Sequence, residues 1–145
     1  MNNQRRDTLK AGGGLGMLGL LAAAGFIKPE MAHAAWNQSA FDAKNMDAAF
    51  AAFSAGKPAE SADVVITAPD IAENGAVVPV GVVSKLPKTE QIVIMIEKNP
   101  NMLAASFTLP EGTLADVQTR VKMGQTSDVY AVVKADGKFY MSKKE

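Results

Sequence analysis

The chain reads as an all-β protein, an immunoglobulin-like antiparallel sandwich of about seven strands preceded by a short helical segment. Two observations predict this: β-branched runs of five to eight residues recur after Ser61, and turn-forming dipeptides fall between them. A third is the change of hydrophobic period, from helical spacing before Gly56 to strand spacing after it.

The first segment, residues 1–34, has the layout of a twin-arginine export signal. Arg5 and Arg6 stand side by side, Leu9 and Lys10 follow, and a weakly hydrophobic, glycine-interrupted run extends from Ala11 to Ile27. This run falls short of the roughly 20 apolar residues of a bilayer span, and Ala32-His33-Ala34 supplies a small-x-small cleavage box. Cleavage after Ala34 is expected, with a periplasmic destination, no membrane anchor and a mature part of 111 residues.

Cleavage removes four of the fifteen basic side chains and two of the fifteen acidic ones, leaving a net charge near −2. No field strong enough to gather nucleic acid or an anionic membrane is expected at that charge. The chain contains no cysteine, and its one histidine, His33, lies in the signal. Ser-His-Asp and Cys-His triads, Cys/His zinc sites and a histidine base are therefore excluded from residues 35–145.

Residues 35–60 form the helical segment. Asn37 or Ser39 suits a first N-cap and Asn45 a second, while Gly56 and Pro58 end the pattern. Met46, Ala49, Phe50 and Phe53 recur at helical spacing, so the two phenylalanines are expected to pack on the sheet.

Residues 61–145 form the sandwich, with strands at 63–67, 76–83, 91–97, 104–109, 115–123, 128–134 and 138–145. Turns fall at Asn74-Gly75, Asn99-Pro100-Asn101, Pro110-Glu111-Gly112 and Asp136-Gly137, the last being the strongest hairpin signal. Val117, Val121 and Met123 alternate with Gln118, Arg120 and Lys122, which predicts one buried and one wet face. The runs from Val77 to Val83 and from Ile92 to Ile96 are apolar at both parities, so both of their faces are expected to be covered. The helical segment and a partner chain are the two available covers. Val78, Val80, Ile92, Ile94 and Ile96, or their opposite-parity neighbours, are the residues expected at a partner interface.

Other patterns carry little chemistry. Met46, Met95, Met102, Met123 and Met141 are irregularly spaced and lack an accompanying histidine, so they read as core fillers rather than a copper site. Asp70 with Glu73, and Glu111 with Asp116, lack calcium-loop spacing and read as solvated loop carboxylates. Lys143 and Lys144 suit the protection of a sheet edge. No catalytic residue, metal site or cofactor is assigned.

The segments Ile71-Ala72-Glu73-Asn74-Gly75-Ala76-Val77-Val78-Pro79-Val80 and Thr119-Arg120-Val121-Lys122-Met123, with Asn99-Pro100 and Gly137-Lys138-Phe139-Tyr140, closely resemble the thiosulfate-oxidation carrier family SoxY. The resemblance implies a periplasmic sandwich pairing with the smaller all-β subunit SoxZ. It also implies a carrier and not a catalyst. In that family a cysteine in a Gly-Gly-Cys-Gly-Gly tail binds the sulfur substrate, and the tail visits enzymes that conjugate thiosulfate, release sulfate and oxidise sulfane sulfur. This sequence departs from the family at Glu145, where the tail is expected to follow, so the carrier cysteine is expected beyond that residue. The competing expectation is a structural or ligand-binding periplasmic sandwich that acts only through non-covalent contacts.

Overall fold

In the computed structural model, residues 37–145 are described, and they form one compact unit. The expected export signal and its cleavage box lie outside the described residues. Two short helices come first, α1 (Gln38–Phe41) and α2 (Met46–Ala52). Eight strands follow: β1 (Ala59–Glu60), β2 (Val64–Thr67), β3 (Val78–Ser84), β4 (Thr89–Ile96), β5 (Leu103–Thr108), β6 (Asp116–Val121), β7 (Val129–Ala135) and β8 (Lys138–Lys144). The seven expected runs are all strands, and β1 is an addition.

Both helices start where an asparagine side chain can satisfy an orphan amide. Asn37 Oδ1 accepts from the Ala40 N–H, and Asn45 Oδ1 accepts from the Ala48 N–H. Each such cap contributes about 1 kcal/mol. Asn37 also donates through Nδ2 to the Ala52 carbonyl at 2.8 Å, which ties the start of α1 to the end of α2. Helices of four and seven residues are too short to persist alone in water, so their stability comes from the surface beneath them.

That surface is one face of the larger sheet. Its strand order is β1-β8-β7-β4-β5, antiparallel except for the parallel pairing of β1 with β8. The smaller sheet has the order β2-β3-β6. The two sheets enclose a core of Val64, Val78, Val80 and Val82 from the small sheet with Ile92, Ile94, Ile96, Ala131 and Val133 from the large one. A second core forms on the opposite side of the large sheet, where Val93, Met95 and Val132 meet Ala49, Phe50 and Ala55.

Strand β4 is therefore covered on both faces, as its sequence predicts, and Ile92 through Ile96 are all at most 1% exposed. Strand β3 corrects the same expectation. Val78, Val80 and Val82 are buried, but Pro79 is exposed and Gly81 and Val83 only partly covered. The physical reason is that Pro79 and Gly81 offer little side chain to bury, so the outer face of β3 is left open.

Phe50 is 8% exposed and meets Tyr130 edge-to-face, with ring centroids 6.5 Å apart. Phe53 packs into the same cluster. Phe50→Ala is expected to lower unfolding free energy by about 3 kcal/mol, the usual scale for truncating a buried aromatic. Urea titration measures this, and a loss under about 1 kcal/mol would show that the helical segment is not part of the cooperative fold.

Two glycines are fixed by geometry. Asp136 and Gly137 both have positive φ, 48° and 72°, in the two-residue turn joining β7 to β8, the Asp-Gly hairpin geometry. At Gly75 a Cβ would lie 2.6 Å from the Met123 carbonyl oxygen, so a side chain there would push apart the backbone that carries the Met123 N–H to Gly75 O bond.

Candidate functional site

The five residues expected at a partner interface, Val78, Val80, Ile92, Ile94 and Ile96, are each at most 2% exposed and belong to the intersheet core. The structure corrects that expectation: apolar side chains facing one another across a sandwich have no surface left to offer. Their opposite-parity neighbours divide. Val93 and Met95 lie under the helical segment, whereas Pro79, Gly81 and Val83 sit on the uncovered outer face of the small sheet.

The register defines this outer face. Val65 pairs with Val83, and Thr67 with Gly81. Pro79 pairs with Arg120, Gly81 with Gln118, and Val83 with Asp116. Short side chains run down the middle strand while Gln118 and Arg120 rise beside them. The result is a shallow groove of about 570 Å³.

A second groove, of about 330 Å³, lies at the end of β8, between the loop after β2 and the loop after β6, and Glu145 lines it. Ile71 at its rim is 85% exposed. Lysines on β8 pin the surrounding loops. Lys144 Nζ donates to the Ala68 carbonyl at 2.8 Å and pairs with Asp70 Oδ1 at 2.9 Å. Lys143 Nζ pairs with Asp128 Oδ2 at 3.3 Å, and this hydrogen bond holds its ammonium above the usual 10.5. The pair of lysines expected to guard an edge thus anchors the last strand to two loops.

The remaining perturbed groups are structural. Burial raises the Tyr130 hydroxyl, the one seated against Phe50. Glu90 is held below 4.5, chiefly by its hydrogen bond from Lys134, at 2.6 Å, and then by the Gly137 N–H. A carboxylate lowered in the folded state contributes stability above its unfolded pKa and loses it as pH falls through the folded one. Glu90→Gln is therefore expected to lower stability slightly above about pH 4.5 and to leave it unchanged near pH 2, which flattens the acid limb, as thermal melts across pH 2–7 would show. An unchanged acid limb would contradict it.

Among the described residues no group of three or more His, Cys, Asp or Glu side chains is placed to hold a metal ion. Met95 is fully buried, Met46 and Met141 pack in the helix-side core, and Met123 packs against the intersheet core. Met46, Met95 and Met141 share the helix-side core with Phe50, Val93 and Val132, apolar neighbours that suit a filling role. Asp70 is drawn to Lys144, and Asp116 lies on β6 opposite Val83 of β3.

Fold and site together define an immunoglobulin-like sandwich whose described residues assemble grooves and strand edges, with no converging acid, base and nucleophile. The family profile of the sulfur oxidation protein SoxY matches residues 50–145. The solved structure of the sulfur carrier protein SoxY from Chlorobium limicola f thiosulfatophilum is similar, at 37% identity and a TM-score of 0.64, over 77% of this chain and 97% of that one. The chain belongs to the SoxY family. The superoxide reductase (neelaredoxin) from Ignicoccus hospitalis shares the fold at 16% identity and a TM-score of 0.50, over 58% of this chain and 80% of that one. No curated protein sequence matches the chain.

Proposed function

We propose that this protein is the carrier subunit of a periplasmic thiosulfate-oxidising system, exported by the twin-arginine route and paired with a SoxZ-like subunit. The observation that carries the reading is the 37% identity to a sulfur carrier protein over 97% of that protein's length. Sulfur intermediates are held on a cysteine in a glycine-rich extension beyond Glu145, and the folded domain serves as the handle. Separate enzymes conjugate thiosulfate, release sulfate and oxidise the sulfane sulfur.

The chemistry supports this division of labour. A thiolate is the nucleophile for sulfur, and the chain to Glu145 contains no thiol. Joining a thiolate sulfur to the outer sulfur of thiosulfate forms an S–S bond and releases two electrons. The conjugating enzyme must therefore contribute the oxidant, and the carrier needs only reach. Glycines flanking the cysteine give that reach without bulk. The ion pairs of Lys143 and Lys144 support the reading as well, because an arm leaving a strand pinned on both sides starts from a fixed point.

Co-expression with a SoxZ-like subunit followed by size-exclusion chromatography tests the pairing. A one-to-one complex is expected with the 145-residue chain, since the handle is separate from the arm. Independent elution of two monomers would overturn the pairing.

A further inference from the structure

Strand β6 is an edge of the small sheet, and its backbone pattern is unusual among the edges of this molecule. The Ser84 N–H donates to the Ala115 carbonyl, which continues the β3–β6 register and fixes which residues face β3. Ala115, Val117, Thr119 and Val121 bond to β3, so the N–H and C=O groups of Asp116, Gln118 and Arg120 point away from the sheet. The ladder of free groups stops there. Lys122, next in the same parity, has its carbonyl taken by Asn99 Nδ2 at 2.7 Å.

The other edges are protected and this one is not. Strand β1 has two residues, β2 has four and runs into Pro69, and the β4–β5 pairing carries a register shift at Ile94/Met95. Strand β6 pairs with β3 without a shift and contains no proline and no lysine. A regular edge of that kind is a template for another strand.

We infer that this edge pairs with the same edge of a second copy of the chain, β6 antiparallel to β6 about a two-fold axis through Gln118. The side chains select this occupant. With Gln118 opposite Gln118, Asp116 of each copy faces Arg120 of the other, twice, and all three free residues meet free residues as hydrogen-bonded pairs. Among the described residues, neither the Asp116 carboxylate nor the Arg120 guanidinium has a hydrogen bond or ion pair. Leu114, 80% exposed, comes opposite the stem of Lys122. Moving the axis to Thr119 would call on the Lys122 carbonyl that Asn99 holds, and moving it to Asp116 or to Arg120 would set like charges face to face. A two-fold contact needs a surface complementary to itself, and an edge carrying one acid and one base equidistant from its centre meets that requirement. The product is a continuous six-stranded sheet with two outer-face grooves side by side.

Charge reversal tests this on the full chain by sedimentation equilibrium. Asp116→Arg and Arg120→Asp each place like charges at both ends of the contact and should weaken self-association at least about tenfold. An equimolar mixture of the two variants restores opposite charges across the axis and should associate as the unaltered chain does, as should the double swap. Association through any other segment would not respond in this pattern. Both positions are exposed, and matching urea midpoints would show that the variants fold. A monomeric unaltered chain up to about millimolar concentration would overturn the inference, as would single reversals that associate normally. Reversals that weaken capture of a SoxZ-like subunit but not self-association would assign the edge to that subunit and overturn it equally. None of these outcomes bears on the carrier reading.

Discussion

Replacing Ile94 with aspartate should leave the domain unfolded in water. Ile94 is fully buried in β4, beside Ala105 of β5 and Ala131 of β7, in the core it shares with Val80 and Val82 of the opposite sheet. Loss of the isoleucine alone costs about 2–5 kcal/mol in packing. The carboxylate would have no donor among those aliphatic neighbours and must either stay charged in an apolar medium or take up a proton, which adds several kcal/mol. Domains of this size have only about 5–15 kcal/mol in total. Circular dichroism should show loss of the strand signal, and the same is expected of Val80→Asp. A folded Ile94→Asp protein that merely failed to bind a partner would show that this parity faces outward after all.

On the proposed reading, sulfur loading should be all or none, decided by whether a Gly-Gly-Cys-Gly-Gly extension is present. The 145-residue chain offers a substrate no thiol, and its lysines and carboxylates cannot replace one, because covalent capture of thiosulfate needs a sulfur that can form a disulfide-type bond. Extending the chain by Gly-Gly-Cys-Gly-Gly adds the nucleophile on a flexible tether without touching either core. The strand that precedes the extension stays fixed through Asp128 and Asp70, so the stability of the domain should hardly change. Serine in place of that cysteine should keep the fold and the partner and abolish loading.

The sequence was most informative where a local signal and a tertiary demand coincide. Asn45 was legible as a cap because its side chain serves an amide three residues on, and Asp136-Gly137 as a hairpin because few other pairs take two positive φ values at low cost. Phe50 and Phe53 were legible as sheet-packing residues from their spacing. The pairing of β1 with β8 was not legible, since Ala59 and Glu60 join through backbone alone and carry no side-chain pattern. The parity of the partner face was not legible for a related reason. Hydropathy identifies β3 and β4 as equally apolar, but covering depends on where the helices dock, and they dock on β4's sheet. The free edge of β6 has its signal in the order of strands, which alternation within one strand does not contain.

On the proposed reading the sandwich is a handle and the reactive atom lies beyond it. Intact-mass spectrometry after incubation with thiosulfate, the SoxZ-like subunit and the conjugating enzyme tests it most directly. An added thiosulfate-derived mass is expected on the cysteine-extended chain, removable by reductant, and none on the chain ending at Glu145. An adduct on the 145-residue chain would contradict it and place the chemistry on a side chain inside the fold.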